Sequence, residues 1–295
     1  MTTVDPGDLG IIKEWPCLTL SVFGVLGADH ERFMRRSGVR GLILSSNSVV
    51  TEEGMELLRL MQPISLVLSG VQLPVSKLRI ADIAPLARYI GLGAKCDFDL
   101  AGATHLRGIS INRLAGNVDA LEEVAGDLLD IDIDGRTDIW KMLVATDRPK
   151  LKAGRFSRVA DAAGVSRLPG LHGLMLVDCR GVVSCDFVRD CGRLEDLVLD
   201  GCRVVSVAEL SGCTSLKRVF LENCGPLDSV MPLQSLGNLA QVVIGGSTDV
   251  LDGKVGWLSS CGLTSCRVKR RLHYDIKKSI GFWGDVSPLM QYKLW

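Results

Sequence analysis

The residues most able to do chemistry lie in DLLDIDIDGRTDIWK, positions 127–141. Asp130, Asp132, Asp134, Gly135 and Asp138 fall at positions one, three, five, six and nine of a calcium-loop pattern. Such a loop also needs an entering helix and a bidentate glutamate at its twelfth position, where this chain has Lys141. Proton transfer would instead require one carboxyl raised by burial or by a like charge. Three exposed aspartates beside Lys150 and Lys152 are expected to be stabilised as ions. The stretch therefore reads as a charged surface, with no metal and no cofactor.

The remaining nucleophiles and ligands point the same way. Of the ten cysteines, Cys179, Cys202 and Cys224 are separated by 23 and 22 residues, and Cys191 and Cys213 by 22; no C-x-x-C pair occurs. Cysteines recurring at a constant interval suit equivalent buried positions in stacked units, where a reduced thiol behaves as a small hydrophobe. His30, His105, His172 and His273 are scattered and read as surface or packed imidazoles. DGKVG at 252–256 has Val255 where a phosphate loop needs Ser or Thr, and no G-x-S-x-G elbow is present. No catalytic constellation is expected, and the chain is read as non-enzymatic.

Composition narrows the class. Lys plus Arg and Asp plus Glu are 34 each, so no global field draws the chain to nucleic acid or an anionic membrane. Hydrophobic residues make up 47% and aromatic residues only 5%, so the apolar content is aliphatic and suits many short stacked elements. No run is long and apolar enough to span a bilayer, and the start lacks the basic lead and apolar core of a secretory signal. Together with the thiols this predicts an intracellular, reducing compartment, the cytoplasm first.

The elements that must position these residues recur. LHGLMLVDC (171–179), LEDLVLDGC (194–202) and LKRVFLENC (216–224) share the pattern L-x-x-L-x-L-x-x-C. Extended both ways, the middle anchors are Leu18, Leu42, Leu66, Ile90, Ile109, Ile131, Leu151, Leu174, Leu197, Val219, Val242 and Cys266. The residues two further on run from Leu20 to Val268, with Ala153 in the seventh repeat, and all are aliphatic. Alternation across each anchor pair makes a short strand with one face inward, and strands at this interval stack in parallel around a continuous core. Asn47, Cys179, Cys202, Cys224 and Ser247 suit the turn after the strand, whereas Lys95, Arg136 and Arg271 do not. Helical spacing is expected over 51–62 and 119–129; later returns such as 203–215 have room for little more than a 3-10 turn.

The repeat resembles the leucine-rich repeat family in its short 22–24-residue class, with cysteine where asparagine often stands. It is similar to phosphatase-regulator-type subunits and to cysteine-bearing repeat proteins of flagellated protozoa. The resemblance implies an α/β solenoid: a horseshoe with a parallel concave sheet of about twelve strands and short helical or 3-10 returns on the convex side. Residues 1–14 then form an N-terminal cap, 15–271 the solenoid and 272–295 a C-terminal cap or docking tail.

In that register Ile131 and Ile133 point inward and Asp130, Asp132 and Asp134 outward, with Lys150 and Lys152 on the next strand. Met175, Val177, Val198, Phe220 and Val243 make an apolar strip with a charged rim, and Arg267 and Lys269 follow on the last strand. This is the composition of a protein interface, with Phe220 as anchor. A protein partner is the leading occupant, and a C-terminal tail folded back over the strip is the alternative. The function expected is a protein-binding scaffold or a structural subunit of a larger assembly. A regulatory subunit or substrate receptor of a phosphatase or ubiquitin ligase is the second reading. RNA contact near Arg267–Lys278, with Tyr274 stacking on a base, is the third.

Overall fold

The computed structural model describes residues 18–125, 127–145 and 150–282. The chain divides into two compact units, one ending at Arg136 and one starting at Thr137. In the first, β1 (Thr19–Val25), β2 (Gly41–Val49), β3 (Ser65–Ser69), β4 (Tyr89–Gly93), β5 (Gly108–Ile111) and β6 (Asp130–Asp134) pair in parallel, each with the next. Leu42, Leu66, Ile90, Ile109 and Ile131 stand in one row, and Leu44, Leu68, Leu92, Ile111 and Ile133 in another. All ten are buried. The returns carry α1 (Ala28–Ser37), α2 (Glu52–Met61), α3 (Ile80–Ile83) and α4 (Leu121–Ala125). α2 starts where expected because Thr51 Oγ1 accepts from the Gly54 amide at 3.2 Å.

The second unit opens with α5 (Thr137–Ala145). It continues with the parallel strands β7 (Ala153–Ser157), β8 (Gly173–Val177), β9 (Asp196–Asp200), β10 (Arg218–Glu222), β11 (Gln241–Gly245) and β12 (Ser265–Val268). β13 (Ile280–Phe282) then pairs antiparallel with β12 and ends the parallel run. Returns here are 3-10 turns, as at Ala208–Gly212 and Met231–Ser235. The short repeats leave no length for an α-helix of useful size.

Thiols form two ladders in the core. Cys179 Sγ donates to the Phe156 carbonyl at 3.3 Å, Cys202 to Leu176 at 3.7 Å and Cys224 to Leu199 at 3.4 Å. The Thr248 hydroxyl makes the next rung to Leu221 at 3.0 Å, and the Ser48 hydroxyl makes the same contact to Val22 at 2.7 Å. Each rung satisfies a carbonyl of the preceding repeat that the strand ladder leaves over. A second ladder runs through the returns, Cys191 to Val165 and Cys213 to Val188, both at 3.6 Å. Burial pushes the thiols of Cys191, Cys224 and Cys266 up to about 12. The neighbouring Cys179 thiol and burial together push Cys202 well above the ordinary thiol range.

Four expectations of register need correction. Leu20 and Val22, not Leu18 and Leu20, pair with Leu42 and Leu44, and Leu18 is 50% exposed. In the seventh repeat Gly154 and Phe156, not Leu151 and Ala153, pair with Leu174 and Leu176. Phe156 fills the room that Gly154 leaves: a Cβ on Gly154 would lie 2.7 Å from the Phe156 ring. The ladder positions are Ser48 and Thr248 rather than Asn47 and Ser247, because their hydroxyls turn into the core while the other two stay exposed. The misfit Arg136 bridges the carbonyls of Ala115 and Gly116 at 3.1 and 2.9 Å, a longer-range version of the same rung. Residues 1–14, the expected N-terminal cap, lie outside the described residues, which begin at Leu18.

Candidate binding face of the sheet

The side chains that alternate with the buried anchors define an outer face in each unit. In the first, Ser21, Ile43, Val67, Gly91, Ser110 and Asp132 stand in one row across six strands. Ile43 and Val67 are half-buried, and Val67 leans over Gly91 so closely that a Cβ there would lie 3.0 Å from its Cγ1.

Asp130, Asp132 and Asp134 share the outer side of β6, with Ile131 and Ile133 inward. A β-strand with alternating sides cannot wrap its carboxylates around one ion as a calcium loop does. Among the described residues no group of three His, Cys, Asp or Glu is placed to hold a metal. The aspartates are not the open, ion-stabilised trio the sequence suggests. All three are half-buried, and desolvation, helped by the charge of Asp132, raises the Asp130 carboxyl to about 7. Asp132 instead accepts from the Ser110 hydroxyl at 3.3 Å.

Lys150 and Lys152 are exposed and precede β7 rather than standing on its outer face. The register slip at Gly154 moves that role to Arg155, which pairs with Met175. The sequence hid Arg155 because Leu151-x-Ala153 mimics an anchor pair; the signal that marks it is the small-then-large pair Gly154 and Phe156.

In the second unit the outer row reads Arg155, Met175, Val198, Phe220, Val243 and Arg267 on β7 to β12, in register throughout. Four apolar side chains thus sit side by side with a guanidinium at each end. Toward the strand starts, Asp196 takes both arms of the Arg218 guanidinium. Toward the strand ends, Glu222 pairs with Arg267, and Asp200 accepts from Asn223 Nδ2 at 2.8 Å. The Asp196 contact raises Arg218 above its ordinary value.

The exposure expected for this strip does not hold. Met175 and Val198 are 0% exposed, Phe220 5% and Val243 4%, while Val177 is half-buried. In-register side chains on adjacent strands stand about 4.8 Å apart and shield one another laterally, and the two ion pairs wall the row on both sides. Lysines and arginines of the basic segment are likewise less free than the sequence suggests. Arg271 binds Asp249 at 3.0 Å and the Thr248 carbonyl at 2.9 Å. Tyr274 is buried, accepts from the Val250 amide at 2.8 Å and donates to Asp249 at 3.1 Å, so its ring is not available for stacking on a base. Lys269 and Lys277 remain exposed.

The histidines have local duties. His30 Nδ1 accepts from the Gly27 amide at 3.2 Å at the start of α1, and His172 and His273 meet the carbonyls of Gly170 and Val250 at 2.7 and 2.9 Å. An open groove of about 580 Å³ follows the turns after β8 to β11, lined by Asp178, Arg180, Arg203 and Asn223 among others.

Comparison with known proteins places this geometry. No protein-family model matches the sequence, and no curated protein matches it. Among solved structures, the internalin InlF of Listeria monocytogenes superposes with a TM-score of 0.56 at 16% identity, over 82% of this chain and 71% of that one. TLR13 in its complex with the single-stranded RNA ssRNA13 gives a TM-score of 0.55 at 15% identity, over 79% of this chain and 40% of that one. Both are leucine-rich repeat proteins, and this chain has the leucine-rich repeat fold. Among the described residues no helix is long and apolar enough to cross a membrane.

Proposed function

We propose that this leucine-rich repeat chain is a non-enzymatic scaffold that binds a protein partner through the outer face of its sheet. The observation that supports it is the row Met175, Val198, Phe220 and Val243, in register on the side of the sheet opposite the core. That side has no need of large apolar chains for folding, since the inward rows supply the core. Four in a line, bracketed by ion-paired carboxylates and guanidiniums, have the apolar-centre, polar-rim arrangement of a protein interface. Phe220 is the anchor, and Met175 adapts to an irregular counterpart. The carboxylates of Asp130, Asp132 and Asp134 form a separate acidic patch in the first unit, suited to a basic segment of a partner. Buried, protonated thiols fit a reducing compartment.

Affinity purification followed by mass spectrometry tests this reading. The pair Met175→Ala and Phe220→Ala is expected to lower recovery of a specific partner at least tenfold, with a urea transition showing that the variant still folds. Unchanged recovery, or recovery abolished by ribonuclease, contradicts it.

A further inference from the structure

We infer that the groove along the turns after β8 to β11 is a second binding site, which takes a short extended peptide by an aspartate or glutamate held between Arg180 and Arg203. Arg180 follows Cys179 and Arg203 follows Cys202, so the two guanidiniums occupy equivalent places in adjacent turns. The cysteine rungs to Phe156 and Leu176 tie both turns to the core and hold that relation. Adjacent strands stand about 4.8 Å apart, a spacing at which like charges repel. Elsewhere in this unit a cation meets a carboxylate of the next repeat: Lys217 takes Glu195 at 2.9 Å, Arg218 takes Asp196, and Arg271 takes Asp249 at 3.0 Å. Among the described residues, the exposed side chains of Arg180 and Arg203 have no ion pair or hydrogen bond. Two adjacent cations without a counter-charge are placed for an anion from outside.

The remaining walls select the ligand. The groove crosses three repeat spacings, about 14 Å, the length of about four extended residues. Gly201 lies under the Asp178 carboxylate, which a Cβ there would strike, and a Cβ on Gly225 would meet nothing within 4 Å, so neither position raises the floor. Asn223 is committed to the wall: its Nδ2 donates to Asp200 at 2.8 Å and its Oδ1 accepts from the Ser247 amide at 3.3 Å. Two guanidiniums against the one carboxylate of Asp178 leave the lining a single net positive charge, which one ligand carboxylate neutralises. A run of phosphates, as in RNA, would meet Asp178 and the neighbouring Asp200 instead. Val205 in the wall is 47% exposed, and Val183, whose carbonyl accepts from the Val205 amide at 3.0 Å, is 53% exposed. Pro226 is exposed beside them, so apolar side chains next to the acidic one have a seat. An open groove covers too little of a small free acid to retain it, whereas a peptide adds contacts along its length.

Selection of a phage-displayed random dodecapeptide library on the full chain tests this site. The recovered peptides are expected to share one aspartate or glutamate flanked by apolar residues. A fluorescein-labelled peptide of that consensus should bind the Arg180→Gln, Arg203→Gln variant at least tenfold more weakly. Both side chains are exposed, so the urea transition of that variant should match the parent's. Repeating the selection on Arg180→Glu, Arg203→Glu should return a basic residue where the acidic one stood. The Met175→Ala, Phe220→Ala pair should bind the labelled peptide as the parent does, because this groove stands apart from the outer face of the sheet. Recovered peptides with no shared acidic residue, equal affinity for the arginine variants, or loss of affinity with the Met175 and Phe220 pair would each overturn the inference. Labelled oligouridylate bound more tightly than the peptide, and through the same two arginines, would overturn the choice of a peptide.

Discussion

Arg267 pairs with Glu222 two strands away, passing over Gly245 on the strand between them. A Cβ on Gly245 would lie 3.0 Å from Glu222 Oε1 and 3.4 Å from Arg267 Nη2, so the missing side chain is what lets the pair meet. The Glu222 side chain is only 13% exposed, where losing a cationic partner is costly.

Gly245→Val should therefore destabilise the chain by about 1–3 kcal/mol, measured by urea denaturation. Glu222→Gln should remove most of that penalty, and the double-mutant cycle gives the coupling. Additive effects of the two changes would show that Gly245 matters for another reason.

The Asp130 carboxyl sits at about 7 in the folded state against an ordinary 3.8. The native state therefore holds a proton that the unfolded chain releases between those values. Its contribution to stability is full below about pH 4 and is lost as pH rises through about 7. Asp130→Asn should flatten this slope and be the more stable form at pH 8, by about 2 kcal/mol after allowing for solvent screening of a half-buried group. Parallel pH profiles for the two proteins would contradict the shift.

Of nine cysteines in the described residues, eight are buried and Cys261 is exposed. In a Cys17→Ser background a thiol reagent should modify one equivalent quickly and the remaining eight at the rate of unfolding, because buried thiols stay protonated and out of reach. Cys224→Ser should cost less than about 1.5 kcal/mol, since the Thr248 hydroxyl already makes the equivalent rung. More than two fast equivalents would mean that the ladders are open.

Tyr274→Phe removes a hydroxyl that joins the Val250 amide to Asp249, and should lower stability by about 1–2 kcal/mol. Removing a hydroxyl leaves the stacking face of the ring unchanged, so this loss marks Tyr274 as a residue that holds the end of the repeat array. No change in stability would argue that its hydroxyl is dispensable there.

The inward rows were legible because the leucine pattern has no competing reading: ten of the twelve anchor pairs stand where the spacing puts them. The first failed because Leu18, Leu20 and Val22 offer three aliphatic residues at alternating places and only pairing chooses between them. The seventh failed because Gly154 and Phe156 share one volume unequally, which a search for two aliphatic anchors cannot see. Alternation also identified which residues face outward, but not whether they are covered. Periodicity reports direction from the sheet, and burial depends on what else lies there. Hence Phe220, read as an exposed anchor, is closed, and Asp130, read as an exposed ion, is desolvated.

The central claim is that alternate residues of each strand divide between core and binding face. Accessibility of single cysteines at positions 131, 132 and 133, in a Cys17→Ser, Cys261→Ser background, tests it directly. Asp132→Cys should react in the folded protein, while Ile131→Cys and Ile133→Cys react only at the rate of unfolding. Fast labelling at 131 and 133 with protection at 132 would contradict the account.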